Sequence, residues 1–445
     1  MAGWGALAAT QYNDLMDHYQ SSRLRRWQMI TVGSLCVGYA GYYLCRSNLS
    51  VVTPLLLEEF ESSGLNKEMI GLIASSGVLF YAVGKVLSGV LCDFFGGRRT
   101  FLLGMVGSIV ATVMFGLLTG VAAFMIIWSL NRLIQSTGWV SLVKITSNWF
   151  PFGMYGTVMG VLSLSFLFGD VLTRLFLGSL ISAGIGWRGI FFAAAGGLTA
   201  IAIGAQFLLK SSPREIGEQE PDVNPQNLFG SEGTRKRPLD MVMLLRPLLS
   251  SFSFWMVATI SLGLTLIRET FNIWTPTYLA EVAGLSAGSA ATYSLLFPLF
   301  GGISVLVFGR MADRMGGGKR SIAILAGLVP LVVILGVMGN IREPDSAVLP
   351  LVLVSAAATL MIGPYSFLAG AISLDLGGKV GSSTTSGLID AAGYLGAIAS
   401  GIGIGSLAQR VGWDAAFGSL AIVALVTVGA TIAYWRFQEH MAGRT

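Results

Sequence analysis

Twelve stretches of the chain stay apolar over about 20 residues or more, the length a helix needs to cross the hydrocarbon core of a bilayer. With charged breaks as boundaries they run over 28–57, 69–91, 100–119, 122–147, 154–180, 189–209, 251–280, 289–310, 321–340, 347–372, 382–407 and 414–436. A chain so divided is expected to be an all-α polytopic membrane protein. Composition agrees, because of 445 residues 53% are hydrophobic and 11% charged, against about 25% charged in a soluble domain. The 58 glycines suit helices that approach closely in lipid. These figures exclude a soluble enzyme, a nucleic-acid binder and a disordered chain.

Loop charges orient the spans. Arg23, Arg25 and Arg26 precede the first, Arg98 and Arg99 follow the second, and Arg214, Arg235, Lys236 and Arg237 lie between the sixth and seventh. Arg310, Arg314, Lys319 and Arg320 follow the eighth, whereas the loop after the first, EEFESSGLNKE, is net acidic. Basic loops stay in the cytoplasm, so both termini are expected there, in a cell (inner) membrane. Residues 210–250, rich in Pro, Gly, Glu and Arg, read as a cytoplasmic linker. The expected organisation is a tail over 1–27, a six-helix bundle over 28–209, the linker, a second bundle over 251–436 and a tail over 437–445. Cys36, Cys45 and Cys92 show no metal-ligand spacing, and His18 and His440 sit in the tails, so neither a metal, a cofactor nor histidine catalysis is expected. The amino terminus has no basic region of the kind that opens a signal peptide.

The two bundles repeat one another. RSNLSVVTPLLLEE (46–59) aligns without gaps on RETFNIWTPTYLAE (268–281), Arg on Arg, Thr-Pro on Thr-Pro and Glu59 on Glu281, at an offset of 222. GVLCD (89–93) matches GRMAD (309–313), and Gly-Trp at 186–187 matches 412–413. Matches in one order at nearly one offset mark a duplicated six-helix unit. Duplicated transporters hold substrate near the midplane between repeats, which nominates spans 1 and 7.

Arg46 and Arg268 occupy equivalent interior positions of those spans. A charge at the centre of a membrane helix costs about 2.5–3.5 kcal/mol on insertion scales, so two symmetric ones call for a reason. Each could pair with an acid and only lock the bundle. Glu269 adjoins Arg268, but neighbouring helical residues diverge by about 100°, which makes it a poor partner, and span 1 has no acid inside it. The functional reading is that two guanidinium forks bind carboxylate or phosphate oxygens, a phosphoryl dianion or a dicarboxylate. Lys85 adds a third cation in span 2, as ligand or as a snorkelling chain. Lys144 reads as an interfacial anchor, and Asp170 with Arg174 as an internal i,i+4 ion pair. Tyr39 and Tyr42 fall two turns and one turn before Arg46, with Tyr43 beside them; Trp274 follows Arg268 by six residues, and Tyr394 lies in span 11. Tyr42 and Tyr394 are the favoured aromatic contacts. Asp390, deep in span 11, could take protons, accept sugar hydroxyls or balance Lys85 or Arg174.

GVLCDFFGGRR and its echo GRMADRMGGGKR resemble the signature loop of the major facilitator superfamily. That resemblance implies two pseudo-symmetric six-helix bundles, and assigns Asp93, Arg98 and Arg99, with Asp313 and Arg314 in the echo, to gating. Within the superfamily, GYAGYYLCRSNLS, YAVGK, GWVSLVK before NWF, IRETFNIWTPTYL and the GP…D…GYLG run resemble the organophosphate:phosphate antiporters nearly end to end. The resemblance implies that Arg46 and Arg268 grip phosphate, that Lys85 assists, and that Tyr42, Tyr81 and Tyr394 supply aromatic contacts. Phe166 and Thr265 stand where bacterial glycerol-3-phosphate carriers have histidine and tyrosine, and the SLDLGG…TTSGLIDAAGYLGA segment is closer to the sugar-phosphate exchangers. The implied partners are inorganic phosphate and a small organophosphate, in a monomer within the lipid bilayer, with no nucleic acid. Expected function is therefore exchange of a sugar phosphate or glycerol-3-phosphate type of metabolite for inorganic phosphate by alternating access. The alternatives are an ion-coupled carrier of another anion such as a dicarboxylate, with Asp390 titrating, and a non-transporting sugar-phosphate sensor.

Overall fold

The computed structural model describes residues 22–60, 65–315, 319–341 and 346–440. The first 21 residues with His18, part of the acidic loop at 61–64, glycines 316–318 and the last five residues lie outside the described residues. Span 1 is built from two helices, α1 (Ser22–Leu44) and α2 (Asn48–Glu59). Spans 2 and 3 are α3 (Lys67–Phe95) and α4 (Gly97–Leu117), and span 4 is α5 (Val121–Gln135) followed by α6 (Thr137–Trp149). Spans 5 and 6 are α7 (Tyr155–Ser182) and α8 (Trp187–Leu208). A short linker helix, α9 (Met241–Leu249), leads to span 7, α10 (Phe252–Glu281). Span 8 joins α11 (Ala287–Tyr293) to α12 (Leu296–Arg314), span 9 is α13 (Arg320–Met338) and span 10 is α14 (Val348–Phe367). Span 11 is α15 (Ser373–Ala399) with α16 (Gly405–Arg410), and span 12 is α17 (Trp413–Tyr434). Among the described residues the fold is thus all-α, and its helices group into twelve spans in two pseudo-symmetric bundles of six.

The duplication is visible as chemistry. Trp187 Nε1 donates to Glu59 Oε2 at 2.6 Å, and Trp413 Nε1 donates to Glu281 Oε2 at 2.7 Å. Each bond ties the outer end of a bundle's first span to the start of its sixth. A tryptophan whose N–H meets a carboxylate satisfies its polar edge while its ring packs.

Contacts between the bundles concentrate on the face where α1 begins and where the linker lies. Asp93, at the end of α3, accepts from the amides of Ser383 (3.3 Å) and Thr384 (2.7 Å) in α15. Its repeat counterpart Asp313 accepts from the amides of Gly156 (2.9 Å) and Thr157 (2.6 Å) at the start of α7. Each bundle therefore places a carboxylate on amides of the other, a charge-assisted contact stronger than a neutral bond. Glycine permits the approach, since a Cβ on Gly387 would lie 2.2 Å from the Lys85 carbonyl oxygen. Among the described residues, the hydrogen bonds between the bundles run from the level of Lys85 to this face, and none lies toward the opposite one.

Several expectations change here. Lys144 is a buried closing residue and no interfacial anchor: its ammonium donates to Asp93 Oδ1 at 2.7 Å and to the carbonyls of Lys379 and Val380 across the bundles. Of the basic gating candidates, Arg98 donates to the carbonyls of Leu209 (2.7 Å) and Gln206 (2.6 Å), ending α8 within its own bundle. Arg99 and Arg314 are exposed. The cation beside Asp313 is instead Arg320 at 3.2 Å, which also bonds Asp375 at 2.5 Å and the Phe152 carbonyl at 3.0 Å. Residues 373–381, which fall between the apolar stretches 347–372 and 382–407, form the buried start of α15, kinked at Gly378 with φ 55°.

The linker packs against that kink. Asn224 Nδ2 donates to Asp375 Oδ1 at 3.0 Å, and the Leu228 amide to the Leu376 carbonyl at 2.9 Å. Glu220 lies within ion-pair reach of Lys236 at 2.5 Å, Arg214 at 3.4 Å and Lys379 at 3.4 Å. Burial pushes its carboxyl up, but the Lys236 hydrogen bond and the Lys379 charge outweigh that and hold it below its ordinary 4.5.

Two predictions follow from these contacts. Trp187→Phe should cost about 1 kcal/mol and Trp413→Phe, with the more exposed bond, less, the two adding because they lie in separate bundles; thermal denaturation in detergent checks this. A carboxylate with a lowered pKa stabilises above its unfolded value and loses the effect only as pH falls through the folded one. Glu220→Gln should therefore speed trypsin cleavage after Arg235 and Lys236 at neutral pH, whereas the wild-type linker keeps its docking down to the ordinary carboxylate range.

Candidate functional site

Arg46 sits where span 1 stops being a helix. Between α1 and α2 the chain turns over Cys45–Ser47, and in lipid the carbonyls so released need other donors. The Cys45 carbonyl accepts from Asn131 Nδ2 at 3.0 Å and from Gln135 Nε2 at 2.8 Å, both on α5. The guanidinium is then held by three neutral oxygens: Gln135 Oε1 (3.1 Å), the Tyr43 hydroxyl (3.3 Å) and the Tyr81 hydroxyl (3.1 Å). It lies 4.8 Å from the ring centres of Tyr43 and Tyr81, a cation–π arrangement. Among the described residues no carboxylate forms an ion pair with it.

Across the cavity Arg268 rests 4.2 Å over the Tyr365 ring. Contrary to the expectation from helix geometry, its Nη2 bonds Glu269 Oε1, because the long guanidinium arm bends back over the 100° between neighbours. Its Nε is buried and has no hydrogen-bond partner among the described residues, a costly state for a charged donor. Lys85 is 2% exposed and bonds Asp390 Oδ2 at 2.6 Å, so it is a paired interior cation and does not snorkel. Tyr81 and Tyr394 meet edge to face at 5.5 Å. Arg46, Lys85, Arg268, Tyr81, Tyr394 and Asp390 all line one cavity of about 130 Å³ between the bundles.

Tyr42 is not in that wall. In an unbroken helix it would lie one turn under Arg46, but the turn at 45–47 folds the arginine back onto Tyr43 and Tyr39 instead. The Tyr42 hydroxyl donates to the Phe101 carbonyl at 2.6 Å, inside the first bundle. Trp274 likewise leaves the cavity, its Nε1 donating to the Ser400 carbonyl at 3.3 Å. Phe166 does line it, so an apolar ring fills that part of the wall. Asp170 and Arg174 form their expected i,i+4 pair at 2.9 Å, and Asp170 Oδ1 also takes the Ser47 hydroxyl at 2.5 Å.

Residues that the repeat does not point to complete the site. Tyr43, Tyr39, Trp139 and Tyr365 line it, and Gln135 and Arg132 bound it through Arg46 and Tyr81. Arg132 was open to the same argument as Arg46, a charge inside an apolar span. It escapes a search by symmetry because no basic residue stands near the 222 offset, where the chain has Val354.

Two six-helix bundles around a charged midplane cavity define a membrane transporter fold, and the sequence comparisons agree. The chain belongs to the Major Facilitator Superfamily, whose model matches residues 35–383. It is 26% identical over 429 residues to the probable hexose phosphate transport protein of Chlamydia trachomatis, covering 93% of this chain and 92% of that one. It is 29% identical over 388 residues to the human glucose-6-phosphate exchanger SLC37A2, covering 79% and 76%. Such relatives fall in the organophosphate:phosphate antiporter family that the span motifs resemble. Among solved structures, the Escherichia coli fucose:proton symporter FucP shares the fold at TM-score 0.68 and 12% identity, over 91% of this chain and 98% of that one.

The Lys85–Asp390 pair gives a sharp test. Removing one partner of a buried pair strands the other charge, at about 3–5 kcal/mol. Asp390→Asn should therefore lower thermal stability in detergent strongly, and Lys85→Met with Asp390→Asn should recover most of the loss.

Proposed function

We propose that this transporter exchanges a phosphorylated organic metabolite of the sugar-phosphate type for inorganic phosphate by alternating access. Arg46 and Arg268 grip the phosphoryl oxygens. Lys85 and the Tyr81 hydroxyl bound the same pocket, while Tyr394 and Asp390 stand where hydroxyls of the organic part would lie. The observation that carries the reading is the pair of arginines from equivalent places in the two repeats, facing one cavity. One of them has only neutral partners, and the other a buried Nε without an acceptor. Guanidinium forks match phosphoryl oxygens, and a cavity of about 130 Å³ suits the phosphoryl head, with the organic part toward the face away from the linker. The names of the relatives, a hexose phosphate transport protein and a glucose-6-phosphate exchanger, favour a sugar as that part.

Obligatory exchange follows from the same charges. Closing both faces over an unneutralised guanidinium is expensive in low dielectric, whereas a bound anion offsets the charge and lets the loaded carrier reorient. Asp390 is held by Lys85, which makes it a poor free proton carrier and disfavours the ion-coupled reading. The basic loops favour a cytoplasmic side for both termini and the linker, and the reading is of a monomer in a cell inner membrane.

The test is uptake of radiolabelled phosphate into proteoliposomes, preloaded with phosphate or empty. Fast uptake into preloaded vesicles only, with Arg46→Ala and Arg268→Ala each lowering it about a hundredfold or more, is the expected result. Absence of flux in both preparations would refute exchange. Calorimetry with phosphate and glucose 6-phosphate would then separate a sensor, which binds without flux, from a carrier of another anion.

A further inference from the structure

A second guanidinium stands next to Arg46. Arg132, near the end of α5, lies 4.6 Å from the centre of the Tyr81 ring, the ring that Arg46 also faces at 4.8 Å. Its Nη1 reaches Gln135 Oε1 at 3.4 Å, the atom that accepts from Arg46 Nε at 3.1 Å. Two like charges thus share one amide oxygen and one phenol, with no carboxylate paired to either among the described residues. The fold makes room for this arrangement: a Cβ on Gly77 of α3 would meet the Arg132 Cγ at 2.9 Å, so the glycine lets the arginine stem lie against the helix.

The charge count around the cavity is informative. Lys85 is neutralised by Asp390 and Arg268 by Glu269. Arg46 and Arg132 remain, which leaves two positive charges beside one another. Like charges this close repel in a medium of reduced dielectric, and only a doubly charged anion offsets both. α5 starts at the face away from the linker and runs inward, so Arg132 sits three residues, about 4.5 Å along the axis, nearer that face than Gln135.

We infer that Arg132 is a specificity-determining residue that makes the carried species a dianion, selecting phosphate monoesters and inorganic phosphate in their doubly charged form over singly charged anions of similar shape. This rests on the phosphate-exchange reading of the same site and names its substrate charge. Arg46 alone would be balanced by a monoanion, and Arg132 supplies the second positive charge that a monoanion leaves uncompensated.

The experiment measures phosphate self-exchange in preloaded proteoliposomes at pH 8, with methyl phosphate and dimethyl phosphate as competitors. Methyl phosphate is a dianion there, its second ionisation falling near pH ~6, whereas the diester carries one charge. The readout is the ratio of the two inhibition constants in wild type, Arg132→Met, Arg132→Gln and Arg132→Lys. Wild type should prefer methyl phosphate strongly. Arg132→Met and Arg132→Gln should each reduce that preference by about tenfold or more, and Arg132→Lys should keep it, since the effect is one of charge. The steric effect of the extra methyl cancels between variants. Having two neutral replacements guards against one that fails to fold, which size-exclusion chromatography would reveal. A wild-type ratio in the neutral variants, with phosphate exchange intact, would overturn the role of Arg132 while leaving the exchange reading standing. No phosphate exchange by the wild type would overturn both.

Discussion

A guanidinium without a carboxylate in the middle of a membrane is the constraint on which the rest of this structure turns. Insertion of such a charge is costly, and Arg46 is accommodated only because its surroundings are polar without being acidic. The helix breaks at 45–47, the Cys45 carbonyl is taken up by Asn131 and Gln135, and the same Gln135 turns its oxygen to the arginine. One amide side chain thus repairs the backbone and seats the charge. Had a carboxylate been placed there, the pair would be self-sufficient and the site would have little to offer an anion. The neutral lining keeps the charge available.

The duplication serves two opposite mechanical ends. Within each bundle, the Trp–Glu bond ties the first span to the sixth and makes the bundle a unit. Between bundles, the Asp–amide contacts of Asp93 and Asp313 close one face. Charge-assisted bonds to backbone amides hold firmly when made, yet both partners can be rehydrated when the face opens. Lys144 and Arg320 differ in type and position, so the repeat preserved the carboxylates and let the counter-cations diverge.

Fold and symmetry were legible in the sequence because hydropathy and a fixed offset are properties of linear order. Arg46, Arg268, Lys85, Asp390, Tyr81 and Tyr394 were reachable for the same reason, each being a polar or aromatic group in an apolar span or motif. Tyr42 was misplaced because periodicity assumes an unbroken helix, and the turn at 45–47 depends on amides 86 and 90 residues away in α5. The Arg268–Glu269 contact escaped a rule about Cβ directions, since a guanidinium reaches well beyond its Cβ. The cations Lys144 and Arg320 that bridge the bundles could not be assigned without knowing which helix ends meet.

Site and gate share two helices, which bears on how binding could drive opening. Lys85 and Asp93 stand eight residues apart on α3, about 12 Å along the axis. On the facing helix α15, Asp390 lies six residues beyond Thr384, about 9 Å. The Lys85–Asp390 bond and the Asp93–amide bonds are therefore successive rungs between the same two helices, closed together in this state. On the exchange reading, opening the linker-side face pulls the lower rungs apart and loads the upper one. An anion lodged against Lys85 would share that ammonium with Asp390, and so weaken the rung that otherwise resists the parting. On the exchange reading, the cation that helps hold phosphate is then also the one whose weakened hold on Asp390 eases reorientation when phosphate is there.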